Sequence, residues 1–317
     1  MLSEVSYLAA VDMMVDLENW LKADREAALK VALDSLGRTK KELVEYVGIL
    51  KDWLKSQPHL PELPGEHQLM NIVLLNKFSI EICKERIDMH YTMRTLVPEI
   101  YGIMDSKNTL KYADILYFLP LPKRTIKEER ITFVKVIDTS NNDFYSWMGY
   151  CFNVLEVRIN EDICTTDIII SDMQKMSFTQ FAKITPIHVK KFVTILEKVY
   201  SSRIKQFHFV NCPPFAYRIL NLLKSLVKIK LASRLFFHED CSIIKEIIPV
   251  QSLPKDFGGL ELSLFELNEL WKKKLIEFGN RFDSLSQMKT NEKLRPSPLV
   301  NDEILGFHGN FKKLEMD

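Results

Sequence analysis

Apolar and polar positions change their period along the chain, and the change falls near residue 105. Before it the spacing is three and four. Leu43, Val47, Leu50 and Leu54 form one stripe and predict a helix over 39–55. Further helices are predicted over 1–23, 67–75, 79–96 and 99–104. Pro58, Pro61, Pro64 and Gly65 make a turn-rich connector, and Ser79 is placed to cap. Beyond residue 105, short apolar runs alternate with helical patterns. Residues 131–137, 167–171, 204–210 and 235–238 read as strands, and 117–122 as a connector. Asp143 is placed to cap a helix running to 158. Thr185-Pro186 starts another, striped by Val189, Phe192, Val193, Leu196 and Tyr200. A final amphipathic helix is predicted over 264–282. The whole predicts an α/β fold: an N-terminal all-helical unit over 1–105, a mixed β-sheet flanked by helices over 106–262, and a C-terminal helix and tail over 263–317.

The stretch 204–231 organises the second unit. Its strand is broken by Asn211, Cys212, Pro213 and Pro214, because proline donates nothing to a sheet ladder and presets a first helical turn. The helix that follows carries Phe215, Ile219, Leu222, Leu223, Leu226 and Val227 on one broad stripe, with Ile229 and Leu231 outside it. Such a helix is either buried in a core or a mobile lid over an apolar cavity. For the lid, the candidate walls are Ile168, Ile170, Phe178, Ile184, Phe192, Ile195, Leu196, Ile204, Phe207, Phe215, Ile219, Leu222, Leu223 and Val227. The alternative is that these side chains simply pack on one another. Basic residues flank the same stretch: Arg203 and Lys205 before the strand, then Lys224, Lys228, Lys230 and Arg234. Within a helix, pairs four apart share a face and repel mildly, so they form either a solvated face or a seat for an anionic headgroup.

Composition narrows the reading. A hydrophobic content of 46% with 27% charged residues is ordinary for a globular protein with a real core. The net charge of +1 gives no reason to expect nucleic acid as a partner. Five cysteines without paired spacing favour reduced thiols and a cytoplasmic setting. Residues 1–20 carry acids within their apolar run, so no signal peptide is expected, and no apolar run reaches the ~18 residues of a spanning helix. The search for catalytic chemistry finds no phosphate-binding glycine loop and no metal-ligand spacing among the seven histidines. Cys212 beside a helix start and Asp172 at a strand end are weak candidates for a nucleophile and a functional acid. No enzyme, metal site or cofactor is expected.

The residues also carry a resemblance. His208, Asn211, Pro214, Phe215, Lys230, Arg234, His238, Leu253, Pro254, Gly258 and Gly259 follow the pattern of the CRAL-TRIO lipid-binding family. The segment SDMQKMSFTQFAKITP resembles that family's strand end and Thr-Pro helix start, and residues 53–101 resemble its N-terminal helices. The chain departs from the pattern at Tyr200-Ser201, Lys224-Ser225 and Leu75-Asn76. The resemblance implies a carrier of one hydrophobic small molecule, such as a tocopherol, retinoid, carotenoid or other lipid. It further implies exchange at phosphoinositide-containing membranes, with Arg203, Lys205, Lys230 and Arg234 on the headgroup positions. A monomer, cytoplasmic and transiently membrane-associated, would follow. The alternative is a lipid-gated protein-interaction adaptor.

Overall fold

The computed structural model describes residues 20–299 apart from 24, 126, 141–142, 164–165 and 226, together with the side chains of all of these but Ala23, Arg218, Leu222 and Leu223. Of the helix expected over 1–23, only α1 (Trp20–Ala23) lies among the described residues. Helix α2 (Arg25–Leu36) follows where the pattern gave no element, because its buried stripe is Ala28, Leu29, Ala32 and Leu33, half of it small residues. Thr39 starts α3 (Lys40–Leu54) through a reciprocal cap: its hydroxyl accepts from the Glu42 amide at 3.2 Å, and Glu42 accepts from the Thr39 amide at 2.8 Å. Leu43, Val47, Leu50 and Leu54 are all buried. Helices α4 (Glu66–Leu75), α5 (Ile80–Leu96) and α6 (Pro98–Tyr101) complete the unit. Ser79 sits at the cap position of α5, but its side chain makes no capping bond. Helix α7 (Ser106–Ala113), capped by Asp105, then leads into the sheet.

The sheet has five strands in the order β1 (Leu116–Pro120), β2 (Glu129–Val136), β3 (Thr166–Asp172), β4 (Ile204–Val210) and β5 (Leu235–Phe237). The segment expected as a connector is therefore an edge strand, antiparallel to β2 and buried throughout. Its Pro120 is tolerated because it ends an edge strand. All other pairs are parallel. The crossovers run through α8 (Phe144–Glu161), through α9 (Phe178–Phe181) with α10 (Pro186–Lys198), and through α11 (Pro214–Lys224) with α12 (Ile229–Ala232). Parallel strands laid down in sequential order, each joined by a right-handed crossover, put every crossover on the same face of the sheet. That face carries the site. The other is covered by the chain after β5, which includes α13 (Ile244–Ile247) and sets the Phe257 ring on Phe133 at 5.1 Å.

Two helices differ from expectation. The helix after Pro214 ends at Lys224 rather than running to 231, and the chain turns before α12. No proline forces the stop; the turn brings Val227 and Leu231 onto the wall of a cavity. The single helix expected over 264–282 is two, α14 (Leu264–Glu277) and α15 (Gly279–Gln287), broken at Phe278. Two cores result, and α8 joins them: Ile159 belongs to the helical unit, whereas Tyr150, Phe152 and Val154 belong to the core around the sheet.

Candidate ligand cavity and basic cleft

Between the sheet and its crossover helices lies a cavity of about 240 Å³. Its floor is the face formed by Val134 and Val136 of β2, Ser171 of β3, Phe207 and Phe209 of β4, and Leu235 and Phe237 of β5. Its walls are Phe144, Trp147, Met148 and Cys151 from α8, Val189, Phe192, Val193 and Leu196 from α10, and Leu220 and Lys224 from α11. Met173, Met176, Phe181 and Ile184 close one end, Val227 and Leu231 the other. Almost all of this surface is apolar. A cavity of about 150 Å³ with such a lining already stays dry and holds a benzene-sized guest.

Strand periodicity explains which expected wall residues meet here. Ile184, Phe192, Leu196, Ile204, Phe207 and Val227 line the cavity. Ile168 and Ile170 point the other way, because side chains alternate across a sheet and Ile170 is in register with Phe133 and His208. Simple alternation would also separate Ile204 from Phe207. A bulge reunites them: Asp167 pairs with Ile204 and Ile168 with Gln206, leaving Lys205 as the extra residue. Ile195 is fully buried but off the cavity wall, and Ile219 is packed against the core. Phe215 lies behind Phe181 at 5.8 Å, with Phe178 on its outer side, 59% exposed. The side chains of Leu222 and Leu223 are outside the described residues. The lining from β2, β5 and α8 was not expected, although Trp147 and Cys151 share an apolar helix face with the i, i+4 spacing of a wall.

A cleft beside the cavity is lined by Arg203, Lys228, Lys230 and Arg234. Val193, Leu196, Ile204 and Leu231 line both spaces, so cleft and cavity share one wall. Arg203 donates to the Leu74 carbonyl at 3.1 Å and to that of Leu75, closing the end of α4; burial lowers its pKa. Arg234 donates to the Ile204 carbonyl. Lys228 pairs with Glu197 at 2.5 Å. Lys230 is exposed and has no ion pair among the described residues. Lys205 does not join this cleft. As the bulged residue it faces the other side of the sheet and pairs with Glu129.

Residues 117–259, which hold the sheet, cavity and cleft, match the CRAL/TRIO domain, and residues 39–109 match the Pinta-like UBA domain. The chain carries a CRAL/TRIO domain. It is similar to Clavesin-1 of Rattus norvegicus, 30% identical over 125 residues that cover 38% of this chain and 35% of the relative. It is also similar to the alpha-tocopherol transfer protein-like protein of Mus musculus, 32% identical over 93 residues, 29% of this chain and 27% of that one. The match thus spans about a third of the length of these curated relatives. Among solved structures, the crystal structure of Sfh5 aligns with a TM-score of 0.44 and 12% identity, covering 81% of this chain and 99% of that one.

The polar groups of the CRAL/TRIO domain hold the architecture. Asp172 pairs with Lys135 at 2.9 Å and accepts from Asn211 Nδ2 at 2.9 Å, so it ties β3 to the turn after β4. Burial, with Asp172 nearby, pushes the Cys212 thiol up to about 11, which leaves little thiolate at neutral pH. His208 and His238 stand 3.0 Å apart between ring nitrogens, and burial lowers His208 to about 4. Among the described residues no group of three or more side chains is arranged to hold a metal. No described helix is long and apolar enough to cross a membrane.

Proposed function

We propose that the chain binds one hydrophobic small molecule in the cavity and exchanges it at anionic, phosphoinositide-containing membranes. The supporting observation is the shared wall: an apolar chamber and a cationic cleft lie back to back across Val193, Leu196, Ile204 and Leu231. Removing roughly 400 Å² of ligand surface from water is worth on the order of 10 kcal/mol before entropy losses, so tight binding needs few polar contacts. A tocopherol, retinoid, carotenoid or other lipid satisfies that chemistry. Membrane contact falls to the segment after α11, where Ile229 is 90% exposed between Lys228 and Lys230. An apolar tip between two cations suits the interface of an anionic bilayer.

The test uses Lys228→Ala with Lys230→Ala, because Arg203 and Arg234 also hold backbone carbonyls and their loss would confuse binding with folding. The double variant should keep its affinity for a hydrophobic ligand and transfer it more slowly to phosphoinositide-containing liposomes; equal transfer rates overturn the membrane step. The adaptor reading is kept as a second possibility by Val44 and Ile49, exposed on α3 within the Pinta-like UBA match. Extraction of purified protein separates the two: a carrier yields an apolar small molecule, and an adaptor with an empty cavity does not.

A further inference from the structure

The cavity is uniform except for its charges, and these do not balance. Two charged side chains line it, Asp172 and Lys224. Asp172 is neutralised where it stands, by Lys135 at 2.9 Å and by the Asn211 amide at 2.9 Å. Lys224 has no carboxylate partner among the described residues. Its ammonium donates to the Leu235 carbonyl at 3.2 Å and lies 5.5 Å from the Phe237 ring centroid. Both contacts are to neutral groups. An ammonium at the edge of an apolar chamber, with only these neutral groups as described partners, gains most from an anion that enters with the guest, because the low dielectric there strengthens a charge-assisted bond.

The position of Lys224 also sets a direction. It is the last residue of α11, next to Val227 and Leu231 and to the strand that follows Arg234. The cationic cleft is on this side. The opposite end of the cavity, at Met173, Met176 and Phe181, holds the paired Asp172 and is otherwise apolar, and methionines adapt to the irregular end of a chain. The chamber is therefore polarised, with positive charge at one end and soft apolar side chains at the other.

Resting on the carrier reading above, we propose that the guest is an acidic lipid, a single long chain ending in a carboxylate, seated with its carboxylate on Lys224 and its tail toward Met173, Met176 and Phe181. The carboxylate displaces the ammonium from the Leu235 carbonyl and takes its place as acceptor. Neutral alcohols of the same length fill the same space but offer the ammonium only an uncharged, weaker acceptor.

Dodecanoate and dodecanol, matched in chain and differing in head, test this by titration into the delipidated full chain at pH 8. The native protein should bind dodecanoate about tenfold or more tightly than dodecanol, the scale of one hydrogen bond to a charged group. Lys224→Met should erase that gap by weakening dodecanoate alone, and Lys224→Arg, which keeps the charge, should retain it. Equal affinities in the native protein, or a gap that survives in Lys224→Met, overturn the proposal while leaving the carrier reading intact. Lys224→Gln, which keeps a donor for the Leu235 carbonyl, serves if the Met variant does not fold, and an undiminished gap there is equally fatal. Binding of neither probe by the native protein overturns this proposal, and if purified protein also yields no apolar small molecule on extraction, the carrier reading fails with it.

Discussion

Single residues show that surroundings outweigh position. Cys212 stands beside a helix start, where a thiolate is often stabilised, yet burial decides its chemistry. Burial also raises Cys83, to about 12, and Cys151. Of the four described cysteines, Cys241 alone is partly exposed. Alkylation of native protein at pH 8 should therefore label Cys241 first and leave the other three until denaturant is added, as read by peptide mass spectrometry. Gly259 makes a second case. A Cβ there would lie 1.9 Å from the Leu253 carbonyl oxygen, so Gly259→Ala must push backbone aside, at about 1–3 kcal/mol. Gly258 has a φ of +82° but open space around it, so Gly258→Ala meets only backbone strain, about 1–2 kcal/mol. Thermal unfolding should rank the two in that order.

At the scale of elements, the period of the sequence revealed most of the framework but not its phase. The strands at β2 to β5 and the capped starts at Thr39, Asp143 and Thr185 were legible because caps and apolar runs are local signals. The first strand was not, since Pro120 at its end and Pro122 just after it look like a connector and only pairing with β2 reveals it. Ile168 and Ile170 were placed on the cavity because a fully apolar run does not say which residues face which side. The bulge at Lys205, which decides the phase of β4, depends on its neighbour and leaves no mark in one sequence. The break after Lys224 was equally hidden. It puts Ile229 at the tip of a turn instead of on a helix flank, and this has a measurable effect. Ile229→Ser should weaken partition onto anionic vesicles about tenfold, the worth of one apolar side chain at an interface, with ligand affinity unchanged. Vesicle sedimentation with and without ligand provides the reading.

Across the whole molecule, buried charge links the two cores. Asp162 at the end of α8 is fully buried and receives Arg124 and Arg130 at 2.6 Å and Arg158 at 3.2 Å. Burial pushes its carboxyl up, but the three guanidinium groups outweigh this and hold it below the usual carboxylate range. Asn71 of α4 donates to the Ile159 and Asp162 carbonyls at 2.8 and 2.7 Å, so the helical unit and the sheet meet at the same spot. Asp162→Asn should cost about 3–5 kcal/mol, the cost of leaving buried charges unpaired, and should lower the unfolding of both units together. Separate transitions by circular dichroism would contradict that linkage. Acid should act in the same sense. Burial lowers His90 to about 4, so between the ordinary value near 6.5 and 4 the unfolded chain takes up a proton that the folded chain refuses. Stability then falls as pH drops through that window, by about 3 kcal/mol at most for this histidine. His208 adds a loss of the same sign, and Asp162 a further one at lower pH. Urea midpoints measured at pH 7, 5.5 and 4.5 should decline in that order.

The partition of Val193, Leu196, Ile204 and Leu231 is one side chain thick. Its thinness makes it a sieve that substitution can coarsen. Trimming Leu196 and Leu231 would join chamber and cleft into one continuous berth, wide enough for a molecule whose tails lie inside while its phosphate rests among Lys228, Lys230 and Arg234. By this route the proposed berth for single-chain guests would become one for whole phospholipids without any change of fold.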